Sequence, residues 1–228
     1  IQKINERYEY NNQEITDEEL SRLLIKIKEI NNSDTITYFE ILTAAFFYEA
    51  NKYKNNINII EAGLFHRFDA TNIIKSNLTS IVTAIGLDHL DWLPKNEHTI
   101  DKIIFEKTSS LLNSKIIVSK QSSNEILNKI KNSIKENSSK KLFFGNDFNY
   151  SINENGFFYY EDKYGGLKLP LPNLEGEFQL SNVATAIATV RDIEEINVSD
   201  ENIKNGITKI KSIARFQEIK NGKLKDLV

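Results

Sequence analysis

Apolar residues recur at helical spacing as Leu20, Leu23, Leu24, Ile27 and Ile30, directly after Thr16, Asp17, Glu18 and Glu19, where Thr16 can cap a helix and Glu19 can reach back to it. Residues 31–34 (Asn, Asn, Ser, Asp) close that helix, and residues 35–54 read as a second, more apolar one through Ile41, Leu42, Ala44, Ala45, Phe46 and Tyr48. The periodicity then changes. Residues 57–60 form a short β-prone run and 78–85 a second strand, followed by an amphipathic helix over 99–112, a strand at 115–119, a Ser123-capped helix carrying Ile126, Leu127, Ile130 and Ile134, and a strand at 141–144. Helix and strand alternating with short connections predict an α/β fold, a mostly parallel sheet flanked by helices.

After Gly145 the runs become short and aromatic, at 147–152, 156–160 and 166–169, separated by Asn-Gly and Gly-Gly pairs. A small antiparallel β addition over 145–170 is the expected result. Closing helices and a strand follow over 181–219: Ser181 opens an Ala-rich helix at 182–195, Ser199 caps another at 200–210, and 215–219 is β-prone. No internal repeat interrupts this order.

Composition narrows the function classes. A 40% hydrophobic chain of 228 residues can bury a proper core. Its net charge of -3, with basic residues scattered among acids, gives no basic face for nucleic acid or an anionic membrane, so neither is an expected partner. Cysteine is absent, which excludes disulfides, thiolate metal sites and a cysteine nucleophile and agrees with a reducing, cytoplasmic setting. No apolar run reaches the ~18 residues of a membrane span. The chain starts at Ile1 and contains no methionine, so it reads as a piece of a longer polypeptide.

Candidate chemistry sits at strand ends, where open α/β sheets bind ligands. The run 57–60 delivers Glu61 and a loop dense in Gly, His, Arg, Asp, Thr and Asn; the run 78–85 delivers Asp88 and His89. Carboxylates with a single imidazole suit Mg²⁺ or Mn²⁺ better than Zn²⁺. The plain alternative is that Glu61 and Asp88 cap turns, His89 bonds to backbone, and Lys107 is an exposed helical lysine.

The same residues resemble, in order, the motifs of the folylpolyglutamate synthase and dihydrofolate synthase family of Mur-type ligases. Glu6-Arg7 with the segment 14–20 is similar to NERI...ISDEEL, the segment 37–44 to TYFEVLTA, 61–72 to ExGLGGRxDATN, 83–89 to TSIGLDH, and 104–107 to IAxEK. Leu174, Gly176, Gln179 and Asn182 resemble LxGxHQxxNAATA, and Arg215 the arginine of PGR. The resemblance implies a Mur-ligase central ATPase-type domain over 1–228, incomplete because the phosphate-binding P-loop segment and the C-terminal domain are missing. It implies that ATP phosphorylates a folate or dihydropteroate carboxylate and that the amine of glutamate attacks the acyl phosphate. Glu61 would bind Mg²⁺, His89 and a carbamylated Lys107 a second Mg²⁺, and Gln179, Asn182 and Arg215 would meet ATP.

Several positions depart from the family pattern. No glycine precedes a Lys-Ser or Lys-Thr pair, so the P-loop is not in this chain. Phe65 and His66 replace two loop glycines, putting a Cβ where backbone approached a ligand or took φ > 0. The connection between His89 and Lys107 is lengthened at 94–98, Ile213-Ala214 replaces Pro-Gly, and Phe178 replaces histidine. His66 reads as drift rather than as a new ligand, His98 as a solvated loop residue, Trp92 as packing near the site, and Tyr150, Tyr159, Tyr160 and Tyr164 as cover for the small sheet. Two readings stay open: part of an amide ligase completed by a P-loop or C-terminal polypeptide, or a non-catalytic remnant.

Overall fold

The computed structural model describes residues 3–174 and 176–210. The chain forms two compact units, residues 1–74 and residues 75–228.

The first unit contains the hairpin β1 (Glu9–Tyr10) and β2 (Gln13–Glu14) and the helices α1 (Asp17–Ile30) and α2 (Tyr38–Ala50). α1 begins as its sequence predicts. The Thr16 hydroxyl accepts from the Glu19 amide, and the Thr16 amide donates to the Glu19 carboxylate at 3.0 Å. Thr37 and Glu40 build the same reciprocal cap on α2, which therefore starts three residues later than the apolar pattern indicates. Thr16→Ala is expected to cost about 1 kcal/mol in urea unfolding, because one hydroxyl satisfies an otherwise orphaned helix donor. Leu20, Leu23 and Ile27 pack with Tyr8, Ile15, Leu42 and Ala45, whereas Ile30, the last residue of α1, is exposed. The buried Tyr8 hydroxyl donates to the Leu42 carbonyl at 2.8 Å and ties the segment before the hairpin to α2.

Residues 57–60 are not a strand in this structure. A strand exists through its ladder, and this run pairs with no other strand among the described residues. Ile59 is 92% exposed.

The second unit carries the predicted α/β alternation: β3 (Thr79–Val82), α3 (Ile100–Thr108), β4 (Lys115–Val118), α4 (Asn124–Ser133) and β5 (Lys141–Phe143). The strands are parallel in the order β3-β4-β5, with Val82 opposite Val118 and Ile117 opposite Leu142. Ile116, Ile117 and Val118 are fully buried, the continuous apolar run of a central strand covered on both faces. β3 and α3 are shorter than their apolar patterns, which continue into loops.

The antiparallel addition is a meander of β6 (Phe148–Ile152), β7 (Phe158–Asp162) and β8 (Gly165–Leu169). Phe158, Tyr160, Leu167 and Leu169 bury against Val183, Ala184, Ile187 and Ala188 of α5 (Glu177–Asp192). Tyr150 stacks on Phe158 at 5.2 Å and Tyr160 is buried, so these two cover the sheet, whereas Tyr164 is exposed and donates its hydroxyl to Asp192. α5 starts four residues before Ser181, which lies buried in its second turn; Gly176 takes the cap position with φ 99°. A Cβ there would stand 2.7 Å from the Phe178 ring, so both the backbone and the space require glycine. α6 (Asp200–Lys209) is capped by Ser199. The predicted strand at 215–219 lies outside the described residues.

Candidate functional site

Three of the singled-out side chains meet in the second unit. After β3 the chain runs through Gly86 and Leu87 to Asp88 and His89. His89 adopts φ 54°, ψ 27°, and its carbonyl accepts from the Trp92 amide at 3.1 Å, closing a short 3-10 turn over Leu90–Trp92. This left-handed residue turns the chain directly after Asp88. Across from it, α3 presents Lys107 in its last turn, where a cation suits the negative end of the helix dipole. Ile103 and Ile104, one turn before Lys107, are buried and anchor α3, and the Thr108 hydroxyl, within 2.6 Å of the Ser133 hydroxyl, joins the helix to α4.

The Lys107 ammonium donates to Asp88 Oδ2 at 3.3 Å, and His89 Nε2 is 3.9 Å from the same oxygen. Asp88 Oδ1 is buried and has no hydrogen-bond partner among the described residues. Lys107 is therefore not the exposed helical lysine of the plain alternative. Trp92, by contrast, is 72% exposed and packs little. His98 is half-buried, with Nε2 3.0 Å from the Leu93 carbonyl, so it is a structural link in its loop rather than a solvated side chain.

The Glu61 loop belongs to the first unit, and Glu61 itself is exposed. Its order comes from Asp69. Oδ2 accepts from the amides of Gly63 at 2.8 Å and Leu64 at 3.3 Å, while Oδ1 accepts from the amide and hydroxyl of Thr71 at 2.9 and 2.6 Å. Asn72 donates to the Arg67 carbonyl at 3.2 Å. A Cβ on Gly63 would fall 2.6 Å from the Phe39 ring, which explains glycine at this position. Among the described residues, non-glycine positive φ occurs at Asn11, Asn12, Asn32, Ser33, Asn55 and His89. Phe65 and His66 are not among them, so the loop takes both without left-handed strain. Burial holds the His66 imidazole below its ordinary pKa against the opposing pull of Asp69.

Gln179 and Asn182 lie in the first two turns of α5. Asn182 donates to the Gln179 carboxamide at 3.1 Å; Gln179 is buried and Asn182 exposed. Arg215 lies outside the described residues. Two organising residues carry no local signal that pattern reading could use. Asp69 sits inside the 61–72 segment but shows its role only through the hydrogen bonds of its carboxylate. Gln121 is a single glutamine after β4.

Among the described residues no group of three or more His, Cys, Asp or Glu side chains is arranged to hold a metal. The orphaned Asp88 Oδ1 and the neighbouring imidazole are nonetheless oxygen and nitrogen donors of the kind a hard divalent cation takes. Lys107 fits such an ion only as a carbamate, because its ammonium competes with a cation for Asp88. No helix among the described residues is long and apolar enough to cross a membrane.

A parallel α/β sheet with flanking helices, joined to an antiparallel meander, is the architecture of the folylpolyglutamate synthase structures. The chain superposes on E. coli FolC in complex with DHPP and ADP with a TM-score of 0.82 at 29% identity, covering 95% of this chain and 50% of that one. It superposes on the bifunctional folylpolyglutamate synthase/dihydrofolate synthase of Yersinia pestis, complexed with AMPPNP and a Mn ion, with a TM-score of 0.81 at 26% identity and the same coverage. No family model matches the chain. In sequence it is 28% identical over 231 residues to the dihydrofolate synthase/folylpolyglutamate synthase of Haemophilus influenzae, covering 99% of this chain and 49% of the relative. Against the Bacillus subtilis enzyme of the same name it is 30% identical over 229 residues, covering 90% and 50%. The chain is a homologue of the folylpolyglutamate and dihydrofolate synthases, and it spans about half the length of the relatives it matches.

Proposed function

We propose that this chain forms part of an ATP-dependent ligase that joins glutamate to folate or dihydropteroate. In that reaction a carboxylate oxygen of the pterin substrate attacks the γ-phosphorus, a new O–P bond forms, and ADP leaves. The glutamate amine then attacks the acyl carbon, forming the amide C–N bond as phosphate departs and the amine loses its proton. The observation that carries this reading is the placement of Lys107 beside Asp88 and His89, on the elements where the family motifs predict them.

In this reading Glu61 serves one Mg²⁺, His89 and a carbamylated Lys107 serve another, and Gln179, Asn182 and Arg215 face the nucleotide. Bound Mg²⁺ supplies the positive charge that phosphoryl transfer demands. The protein's own contribution is to hold Asp88 and His89 on a fixed turn opposite a helix that fixes Lys107. The 228 residues contain no glycine-rich phosphate loop, so a cradle for the ATP phosphates is proposed to come from a complementing segment.

The full chain, titrated with Mn²⁺ in bicarbonate buffer and followed by electron paramagnetic resonance, is expected to show a site that His89→Ala weakens at least about tenfold. Mn²⁺ binding indifferent to that substitution would overturn the reading. The purified chain alone is expected to show no ATP-dependent glutamate ligation; turnover without a complementing segment would contradict the need for one.

A further inference from the structure

We infer that Gln121 is a positioning residue for the Asp88–His89 turn, holding through the backbone the segment that carries the imidazole; its consequence for metal rests on the function proposed above. The β3-β4 ladder ends where Val82 faces Val118, closed by the Ser119 amide donating to the Val82 carbonyl at 2.9 Å. Beyond that point the chain toward His89 has left the sheet, and residues 83–86 belong to no strand.

The Gln121 side chain turns back across this gap. Its Oε1 accepts from the Ile85 amide at 2.9 Å, and its Nε2 donates to the Thr83 carbonyl at 3.2 Å and to the Ser119 carbonyl at 2.9 Å. In a parallel ladder, one residue's amide and carbonyl bond the two backbone groups that flank a residue on the neighbouring strand. The carboxamide of Gln121 does the same to the groups flanking Ala84. A side chain thus supplies the rung that the backbone of β4 no longer provides, with its oxygen and both N–H groups engaged.

This rung sets where the loop begins. Ile85 is pinned twice, by its buried side chain and by its amide to Gln121. Only Gly86, Leu87 and Asp88 separate it from His89, and Gly86 and Leu87 have little to hold them: a Cβ on Gly86 would meet nothing within 4 Å, and Leu87 is 61% exposed. Without Gln121 the backbone from Thr83 onward would be held only by the buried Ile85 side chain, and the imidazole would lose its fixed approach to Asp88 and Lys107. Alanine removes all three hydrogen bonds. Glutamate keeps the acceptor for Ile85 but loses both donors, and it sets a carboxylate against two carbonyl oxygens.

The test compares the full wild-type chain with Gln121→Ala, Gln121→Glu and Ile130→Val, the last removing one buried methylene-sized group from α4 as a stability control. With no metal present, the His89 imidazole resonances and the exchange rate of the Ile85 amide are read by NMR. Both are expected to change in the two Gln121 variants and to match wild type in Ile130→Val. With Mn²⁺ as the probe, Gln121→Ala is expected to weaken the His89-dependent site about tenfold, the usual cost of losing an outer support of a ligand. Unchanged His89 and Ile85 signals in Gln121→Ala overturn the inference, as does unchanged Mn²⁺ affinity where the wild type binds. If the wild type shows no His89-dependent Mn²⁺ site while the metal-free signals still move, the proposed metal role falls and the positioning role stands.

Discussion

Replacing Asp192 by alanine is expected to destabilise the unit of residues 75–228 by about 3 kcal/mol, measured as a lowered urea midpoint at neutral pH. Asp192 closes α5, and its side chain is 1% exposed. Oδ1 accepts from Lys140 at 2.6 Å, from Lys163 at 2.8 Å and from the Tyr164 hydroxyl at 3.2 Å. Oδ2 stands 3.6 Å from Lys115, which also donates to the Asp192 carbonyl. A carboxylate at a helix C-terminus faces the negative end of the dipole, so the helix does nothing to hold it there. The three lysines do, and they come from the start of β4, the entry to β5 and the β7–β8 turn. One carboxylate therefore cross-ties the parallel sheet, the meander and α5. Truncating one partner of a buried ion pair costs about 3–5 kcal/mol. The low end applies because the lysines are partly exposed and can return to water.

The same cluster fixes a pH window. Burial works to raise the Asp192 carboxyl, but the hydrogen bonds and charges of Lys140 and Lys163 outweigh it and lower its pKa to about 2. A carboxyl depressed in the folded state contributes stability that is complete above its unfolded value of about 3.9 and is lost as pH falls through the folded value. Stability should therefore drop between about pH 4 and pH 2. Asp192→Asn should flatten that part of the profile while leaving its slope above pH 5 unchanged.

None of this cluster is legible in the sequence, because Lys115, Lys140, Lys163 and Asp192 share neither a helix face nor a strand register. What periodicity does report is burial on one element at a time. It placed α1, the three parallel strands and the meander because each shows an apolar stripe or run that only that element can bury. It failed where the deciding partner lies elsewhere in the chain. Residues 57–60 have strand composition but no ladder, and Ser181 looks like a cap until Gly176 is seen to take the cap four residues earlier. The site divides the same way. Asp88, His89 and Lys107 are visible as residue types at strand and helix ends, and the structure brings them together. Gln121 and Asp69 act through hydrogen bonds to backbone atoms, which leave no mark on spacing or composition.

Asp69→Ala is expected to open the Glu61 loop without unfolding the helices beside it. Four hydrogen bonds converge on this carboxylate, three of them from backbone amides, and it closes a loop whose residues belong to no strand. Hydrogen bonds to a charged group contribute about 1.5–3 kcal/mol, and here they act on a local opening rather than on the whole core. Amide exchange at Gly63, Leu64 and Thr71 should therefore accelerate by about ten- to a hundredfold, at about 1.4 kcal/mol per factor of ten. Amides in the middle of α1 and α2 should keep their protection, since their core of Tyr8, Leu20, Leu23, Ile27, Leu42 and Ala45 does not include Asp69. Asp69→Asn should fall between the two, because a carboxamide keeps one acceptor oxygen and loses the charge. Equal exchange in all three chains would mean that steric packing, chiefly Phe39 against Gly63, orders the loop instead. Faster exchange confined to residues 63–71 would establish that one carboxylate holds the shape of the loop on which Glu61 is carried.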